Sequence, residues 1–295
     1  MQVTLPTNQA FIDEFGPYRQ RLDVGDHHAT AVTRMLRRRG LAGFEPSTQA
    51  TLLALAQSAD DGDGDGHGGV EFFDVGAHIG LYSMLLTAVF PDGHVRATAF
   101  EPTPSTGDLL AALVDSNDLT VGLVRRAVAD EEGTATLYLS DKAETSNSLA
   151  EGFRASGEAV EVATTTIDAY CRESRRSPDV IKIDVETLEA KVLRGAAATL
   201  RDRRPSVVCE LLPAAHEDDT REALSHLESL SYHVYRWSVR NSEWSPRTTQ
   251  GALEKLGSGR KGNYLFVPEP LSNEFRRTVA AWMEAIAACD AATNL

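Results

Sequence analysis

The sequence predicts an α/β domain built around a largely parallel sheet. Short apolar runs rich in β-branched residues recur along the chain, and segments with helical patterning fit between most of them. The predicted strands lie near residues 70–75, 94–100, 121–125, 179–185, 206–211, 232–237 and 263–267. The predicted helices lie at about 80–90, 105–115, 187–200 and 218–230.

Composition and charge exclude several classes of protein. The chain has 295 residues, of which 42% are hydrophobic and 24% are charged, as expected of a soluble globular protein. Its formal net charge of −14 repels phosphate backbones, so no nucleic-acid partner is predicted. No apolar run approaches the roughly 20 residues of a membrane helix, so no membrane association is predicted. The absence of a signal-peptide pattern favours a cytoplasmic location.

The order of the segments predicts two regions. Residues 1–45 form helical pieces and are interpreted as an N-terminal preface, and residues 46–295 are interpreted as the main domain. The stretch "EPSTQATLLALAQ" opens the main domain with a predicted helix cap at Ser47. The run "DDGDGDGHGG" at 60–69 resembles half of a calcium-binding loop, but Phe72 stands where that loop needs glutamate. A polar linker is the better interpretation.

Two further segments depart from the regular alternation. Runs rich in threonine and valine at 133–140 and 161–168 predict an inserted β-hairpin. A closing amphipathic helix is predicted after Ser272, which is a good helix cap.

The stretch "VEFFDVGAHIG" at 70–80 combines a strand, an acid and a glycine turn. In a doubly wound sheet, the first strand, turn and helix usually form the nucleotide pocket. Gly76 can adopt a positive φ or let a ligand approach the backbone, and Gly80 opens the following helix. Asp74 precedes the turn, and the next predicted strand ends in Glu101, which can accept hydrogen bonds from ribose hydroxyls.

The two acids favour a positively charged cofactor. A carboxylate about 4 Å from a phosphate would cost about 4 kcal/mol at an effective dielectric near 20, which disfavours a pyrophosphate beside Asp74. S-adenosylmethionine carries an ammonium and a sulfonium, so the same acids would attract it. Glu101 alone would also suit the ribose of NAD, so an NAD(P)-dependent oxidoreductase stays an alternative.

Several ordered motifs resemble the FkbM-type S-adenosylmethionine-dependent methyltransferases. They are "FFDVGAHIGLYS", "AFEPTPS", "DVIKIDVETLEAKVLRGAAATL", "PSVVCEL" and "GNYLFVP", and they cover roughly residues 45 to 268. The resemblance implies a Rossmann-like class I methyltransferase sheet of seven strands, with the last strand antiparallel. It also implies O-methylation of a small-molecule acceptor such as a sugar, a polyketide or another secondary metabolite.

The resemblance assigns cofactor-binding roles to particular residues. The first motif contributes Asp74, Gly76, His78 and Gly80, and the second contributes Glu101. Asp184 and Glu186 match the family's "D-x-E" after the fourth strand, and Asp184 is a further candidate for cofactor binding. The segment "TSNSLA" at 145–150 resembles a family segment near the cofactor, so Asn147 and Ser148 are candidate contacts to the cofactor or the acceptor. His78 stands where the family often has asparagine. Thr187 replaces the usual glycine of "D-V-E-G-x-E", which predicts a crowded substrate-facing turn and keeps a non-catalytic S-adenosylmethionine-binding module as a further alternative.

The charged residues after the fourth main strand are the candidate reaction site. Strand alternation predicts Lys182, Asp184 and Glu186 on one face of "IKIDVE", and Glu210 ends the neighbouring predicted strand. A hydroxyl acceptor benefits from a general base, worth roughly 10²–10⁴ in rate, and Asp184, Glu210, His216 and Lys182 are the catalytic candidates. An ion pair between Lys182 and Asp184 that only braces the sheet is the structural alternative.

A metal is the second question that these acids raise. Asp184, Glu186 and Glu210 could together hold Mg²⁺, because hard carboxylate oxygens suit that ion. The sequence nevertheless favours a site without metal. The acceptor itself is not encoded by a readable motif, although the preface, the 133–168 insertion and the segment 238–260 are where specificity could lie. Whether the chain forms a homo-oligomer also stays open.

Overall fold

The structure is a computed structural model that describes residues 1–26, 29–58, 69–140, 147–149, 158–213 and 217–289. The predicted polar linker at 60–69 therefore lies outside the described residues, apart from Gly69. None of the described helices is both long enough and apolar enough to cross a bilayer.

Strands and helices alternate along most of the described chain. The strands are β1 (Gln2–Thr4), β2 (Arg21–Asp23), β3 (Val70–Val75), β4 (Val95–Phe100), β5 (Val121–Val124), β6 (Ala127–Val128), β7 (Gly133–Tyr138), β8 (Ala159–Thr165), β9 (Val180–Ile183), β10 (Ser206–Leu211), β11 (His233–Ser238), β12 (Glu243–Arg247) and β13 (Gly262–Val267). The helices are α1 (Gln9–Phe15), α2 (Ala31–Arg39), α3 (Pro46–Ser58), α4 (Leu81–Val89), α5 (Pro104–Ser116), α6 (Ile167–Ser174), α7 (Glu189–Arg194), α8 (Ala197–Asp202), α9 (Glu217–Ser229), α10 (Thr249–Gly257) and α11 (Asn273–Ala287), with a 3₁₀ turn at Gly40–Gly43.

The main sheet contains eight strands in the order β12-β11-β13-β10-β9-β3-β4-β5. The neighbours from β10 to β5 are parallel, whereas β13 runs antiparallel to both β10 and β11. This order confirms the predicted Rossmann-like sheet of seven strands with the last strand inserted antiparallel. The eighth strand, β12, was not predicted as a strand and pairs antiparallel with β11 at the edge.

Helices cover both faces of the sheet, and each face has its own hydrophobic cluster. Neighbouring residues of a strand point to opposite faces. Phe72 accordingly belongs to one cluster and Phe73 to the other, and both are fully buried. The first cluster includes residues of α3, α4 and α11, and the second includes residues of α7, α8, α9 and α10. Burial on both sides explains why apolar residues predominate on both faces of the central strands.

The N-terminal preface packs on the first of these clusters. Its helices α1 and α2 are accompanied by a two-stranded antiparallel sheet of β1 and β2, which the sequence did not indicate. Phe11 in α1 is fully buried, and its ring centroid lies 5.0 Å from that of Phe90 and 5.2 Å from that of Trp282. The division into residues 1–45 and 46–295 stays a prediction.

The predicted β insertion forms a separate small sheet. Strands β7 and β8 pair antiparallel, and β6 adds in parallel to β8. At the other side of the molecule, the segment 238–260 folds mostly into β12 and α10. Pro246 lies in the edge strand β12, opposite Tyr235 of β11.

Two predicted helix caps have different outcomes. The side chain of Ser272 accepts a hydrogen bond from the Phe275 amide at 3.0 Å and begins α11, as predicted. The cap predicted at Ser47 is wrong, because α3 already begins at Pro46 and the amides of Thr48 and Gln49 donate to the carbonyl of Glu45. Glu45 is therefore the residue that leads into this helix.

Candidate active site

A cavity opens at the carboxyl ends of β3, β4 and β9, where open α/β sheets bind their ligands. Its volume is about 70 Å³, which is below the roughly 300–1,000 Å³ typical of small-molecule sites, and it opens to solvent. The residues that line it are Gly76, His78, Phe100, Glu101, Pro102, Thr103, Ala127, Val128, Leu137, Asn147, Ser148, Leu149, Asp184, Val185, Glu186 and Leu188. Three of these described lining residues are acids, and none is a lysine or an arginine.

Gly76 joins the turn after β3 to the turn after β9. Its φ is +78°, and a Cβ at this position would come closer than 3.0 Å to the carbonyl oxygen of Asp184. The amides of Gly76 and Ala77 both donate to the carbonyl of Phe100 at 3.0 Å. Glycine is therefore required here because the backbone of the β9 turn approaches it directly, in addition to the positive φ.

Asp74 lies behind the cavity wall rather than in it. Its Oδ2 accepts hydrogen bonds from the Ser83 amide at 3.2 Å and the Ser83 hydroxyl at 2.8 Å, and its side chain is buried. Burial raises the pKa of Asp74 to about 6, although Lys182 and Ser83 oppose this shift. Asp74 thus holds the first turn of α4, and the predicted direct contact with a cofactor stays a prediction. Gly80, also predicted to bind cofactor, begins α4 with a φ of +74° and does not line the cavity.

Glu101 does line the cavity, at the end of β4. Its two carboxylate oxygens accept hydrogen bonds from the amides of His78 and Thr103, each at 2.8 Å. Burial raises the pKa of Glu101 to about 7, while the hydrogen bonds from Thr103 and His78 oppose the shift. Each carboxylate oxygen has two lone pairs, so acceptor capacity remains for hydroxyl groups of a ligand.

Asn147 and Ser148 form the part of the wall contributed by the β insertion. The Asn147 side chain accepts from the Ser140 amide at 2.8 Å and donates to the Thr103 hydroxyl at 3.4 Å. Ser148 is almost completely buried, and its hydroxyl donates to the carbonyl of Glu186 at 2.7 Å. The insertion therefore contacts both the loop after β4 and the turn after β9.

The chain leaves the strand conformation immediately after β9. The strand ends at Ile183, and Glu186 and Thr187 have φ values of +54° and +86°. The predicted alternation that placed Lys182, Asp184 and Glu186 on one strand face is therefore wrong at Glu186, because that residue lies in a turn. The sequence analysis predicted that Thr187 would crowd this turn. Thr187 is 4% exposed, and this β-branched residue has its backbone in the left-handed region.

Lys182, which is buried, and Asp184, which is partly exposed, form an ion pair at the edge of this cavity. The Lys182 ammonium lies 3.0 Å from Asp184 Oδ2 and 5.2 Å from the centroid of the Tyr82 ring. Burial alone would lower the pKa of Lys182, but the charges of Asp184, Glu45 and Asp74 raise it above its usual value. Asp184 also lines the cavity, whereas Lys182 does not. The ion pair that the sequence analysis gave as a structural alternative is therefore present, and its Asp184 carboxylate forms part of the cavity wall.

Asp184 is also one of three carboxylates that lie close together, and the sequence analysis did not identify one of the other two. Oxygen atoms of Glu45, Asp184 and Glu210 lie within 4.8 Å of one another. Glu45 accepts from the Tyr82 hydroxyl at 2.8 Å, and Glu210 pairs with the Lys261 ammonium at 2.8 Å. Burial raises the pKa of Glu210, followed by the charge of Asp184, while Lys261 opposes the shift.

The predicted metal-ligand set therefore needs a correction. Glu45 takes the third place next to Asp184 and Glu210, and Glu186 does not, because the turn carries Glu186 toward the cavity. The sequence analysis did not identify Glu45, because it is the last residue of the predicted preface and none of the quoted family motifs includes it. His216, a candidate base, lies outside the described residues.

The strand order and the acid-lined cavity define the class I methyltransferase fold. A profile of the Methyltransferase FkbM domain matches residues 74–236, which is more than half of the chain. The chain belongs to the FkbM methyltransferase family, as its motifs had indicated.

The solved structures that match the chain are distant in sequence. The methyltransferase FkbM of Methylobacillus flagellatus KT is 16% identical over 67% of this chain and 43% of that chain, with a TM-score of 0.42. The human methyltransferase 10 domain containing protein is 11% identical over 90% and 94% of the two chains, with a TM-score of 0.41. Fibrillarin of Aeropyrum pernix, solved with natively bound S-adenosyl-L-methionine, is 12% identical over 74% and 76%, with a TM-score of 0.37. This chain thus spans less than half the length of the Methylobacillus protein, and no curated protein matches it significantly.

Proposed function

We propose that this protein transfers a methyl group from S-adenosylmethionine to a hydroxyl group of a small molecule. The observation that carries the proposal is the charge of the cavity wall, which has Glu101, Asp184 and Glu186 but no lysine or arginine among its described residues. Such a wall suits a ligand with a sulfonium and an ammonium. It does not suit the pyrophosphate of a dinucleotide, which needs cationic or backbone donors.

The residues of the cavity fit this cofactor in a second respect. Glu101 ends β4 with carboxylate oxygens at the cavity wall, where the ribose hydroxyls of an adenosine compound can donate to them. The glycine turn at Gly76 keeps the neighbouring backbone free of side chains. When bound, S-adenosylmethionine supplies an activated methyl group. The protein must then orient the acceptor, exclude water and remove the hydroxyl proton.

Asp184 is the residue that we propose as proton acceptor. It lines the cavity and at the same time belongs to the group of three carboxylates with Glu45 and Glu210. Its ion pair with Lys182 fixes the carboxylate at the edge of the cavity. A positioned base of this kind contributes roughly 10²–10⁴ to the rate.

The acceptor is proposed to be uncharged or cationic rather than anionic. The cationic groups nearest to Asp184 and Glu210, Lys182 and Lys261, are both already paired with these acids. A phosphate or carboxylate on the acceptor would therefore meet net negative charge. A sugar, a polyketide or a related secondary metabolite fits this requirement, and a cytoplasmic location is part of the same proposal.

Calorimetry with S-adenosylhomocysteine and with NADH tests the cofactor. We expect micromolar or tighter binding of S-adenosylhomocysteine, no binding of NADH, and loss of at least about tenfold in affinity in Glu101→Gln. Glu71→Gln is the matched control, because Glu71 is a buried acid of the neighbouring strand at the opposite end of the sheet. Binding of NADH alone would support an oxidoreductase.

Methyl transfer from labelled S-adenosylmethionine to a panel of hydroxyl acceptors tests the reaction. Transfer to a neutral hydroxyl acceptor is the expected result. Intact affinity for S-adenosylhomocysteine without transfer to any member of the panel would support the non-catalytic binding module instead.

A further inference from the structure

We propose that Ser148 is a positioning residue of the methyl-transfer site, which holds the turn Asp184–Leu188 in a conformation that its own backbone disfavours. The inference rests on the proposed function, because this turn is part of the wall at which we place the reaction. It differs from the sequence prediction, in which Ser148 contacts the cofactor directly.

The turn is strained at two consecutive positions. Glu186 and Thr187 have φ values of +54° and +86°, in the left-handed region that favours glycine. A β-branched residue with positive φ is an outlier, because its Cβ crowds the backbone. The Thr187 hydroxyl is buried and has no hydrogen-bond partner among the described residues, so the threonine side chain does not compensate for the strain.

Hydrogen bonds to Ser148 and Glu189 hold the two strained residues from outside their own backbone. The Ser148 hydroxyl donates to the carbonyl of Glu186 at 2.7 Å, and the Thr187 amide donates to Glu189 Oε1 at 3.1 Å. Strained residues persist only where the surroundings over-determine their conformation. The contact from Ser148 fixes the carbonyl of the first strained residue, and the contact from Glu189 fixes the amide of the second.

Ser148 is itself held firmly enough to act in this way. Its amide donates to the carbonyl of Tyr138 at 3.1 Å, and its carbonyl accepts from the Tyr138 amide at 2.9 Å. These two bonds attach it to the end of β7. The hydroxyl therefore connects the sheet of the β insertion to the turn that follows β9.

Part of the cavity wall depends on the conformation of this turn, although Asp184 itself is anchored. The Asp184 amide donates to the carbonyl of Val75 at 3.0 Å, and its own carbonyl packs against Gly76. If the turn relaxed toward an unstrained conformation, Val185 and Glu186 would leave the cavity wall, although Asp184 would still be anchored on one side. Loss of the Ser148 hydroxyl should therefore change the shape of the cavity without unfolding the sheet.

The test is a double-mutant cycle between Ser148 and Thr187, read by S-adenosylhomocysteine affinity and by hydrogen exchange of amides 184–189. Ser148→Ala should weaken binding about tenfold and speed exchange in the turn. Thr187→Gly removes the strain at φ +86° without touching the cavity. In the Ser148→Ala background it should restore affinity to within about threefold of wild type and slow exchange again.

The control and the contrary results separate the possible roles. Ser174→Ala removes a comparable bond, from a serine hydroxyl to the Tyr170 carbonyl at 2.7 Å, and should leave both readouts of the turn unchanged. If Thr187→Gly does not restore the affinity lost in Ser148→Ala, Ser148 contacts the ligand directly and the proposal is wrong. Unchanged exchange in Ser148→Ala would also overturn it. If the wild type does not bind S-adenosylhomocysteine, the proposed function is wrong. Hydrogen exchange of amides 184–189 in Ser148→Ala then decides alone whether Ser148 holds the turn.

Thr187→Asn provides a second variant. Asparagine adopts the left-handed region more readily than threonine, so it should restore part of what glycine restores. If glycine restores the affinity fully and asparagine restores none of it, the effect comes from the smaller side chain at position 187. That result would contradict the strain argument.

Discussion

Gly76 packs against the carbonyl oxygen of Asp184 so closely that no side chain fits between them. A Cβ at position 76 would come closer than 3.0 Å to this oxygen. The glycine of the first motif therefore brings two turns together, the one after β3 and the one after β9. This contact joins the cavity wall at Gly76 to the backbone of the proposed proton acceptor.

Gly76→Ala should lower the free energy of unfolding by much more than the cost of placing an alanine at a positive φ. The variant has to move the Asp184 backbone in addition to adopting a φ of +78°, so we expect a loss of about 3 kcal/mol or more in the free energy of unfolding. Gly93→Ala is the matched control, because Gly93 has a φ of +82° with no atom within 4 Å of a Cβ. It should lose about 1 kcal/mol. Urea denaturation of both variants measures the difference, and equal losses would refute the close approach.

The stability of the ligand-free protein should fall as pH rises from about 4 to about 8. Burial raises the pKa of Asp74 to about 6, of Glu101 to about 7 and of Glu189 to about 8. The folded protein therefore holds more protons than the unfolded chain in this interval, and each acid contributes up to about 1.4 kcal/mol per pH unit within its own window.

Urea unfolding at about pH 5 and about pH 8 measures this dependence. Burial makes ionisation of these three acids more costly in the folded protein than in the unfolded chain, so the free energy of unfolding should be larger at the lower pH. Glu101→Gln should show a smaller decrease than the wild type, because it lacks one of the three titrating groups. A free energy of unfolding that rises over this interval would contradict the expected protonation states.

Asp74→Asn should affect stability more than ligand affinity. Asp74 braces the first turn of α4 through Ser83 and lies outside the cavity lining. We expect a loss of about 1–3 kcal/mol in the free energy of unfolding, because an amide group would stand beside Lys182. S-adenosylhomocysteine affinity, measured by calorimetry, should change less than about threefold. A loss of binding in a variant of normal stability would establish Asp74 as a direct ligand.

Methyl transfer should not depend on a divalent cation. Lys182 pairs with Asp184 and Lys261 pairs with Glu210, so cationic groups already neutralise two of the three convergent carboxylates. We expect the same rate of methyl transfer with EDTA as with added Mg²⁺. The assay uses protein dialysed against chelator, and a rate restored only by Mg²⁺ would assign Glu45, Asp184 and Glu210 as metal ligands.

Glu45→Gln should slow methyl transfer while leaving S-adenosylhomocysteine affinity within about twofold of wild type. Without the charge of Glu45, Lys182 interacts more strongly with Asp184 and makes it a weaker proton acceptor. We expect a decrease of about tenfold in kcat. Glu269→Gln, at an exposed acid, is the control. An unchanged kcat would remove Glu45 from the reaction site.

Apolar and β-branched runs in the sequence located the central strands of the main sheet, and the resemblance to the FkbM family implied the seven-stranded arrangement with the last strand antiparallel. The positions of Gly76 and Glu101 at the cavity followed from the same pattern, since both stand at carboxyl ends of parallel strands. Strand alternation failed at Glu186 for a local reason. The chain turns through two left-handed residues there, and neither glutamate nor threonine signals such a turn.

Glu45 illustrates what the sequence could not provide. It reaches Asp184 and Glu210 only because α3 packs against the sheet with its first residue at the carboxyl edge. Such a contact joins residues more than a hundred positions apart and leaves no periodic trace. The bracing of α4 by Asp74 could not be predicted from the sequence either, because it depends on a contact with Ser83 in the first turn of the following helix.

Pro246 has a consequence for how copies of this protein meet. It lies in β12, the outermost strand on its side of the main sheet, and it has no amide hydrogen to offer to an added strand. The charged side chains of Glu243 and Arg247 end the same strand. Edge-to-edge stacking of the kind that starts fibrils is therefore blocked at this border by the chain itself.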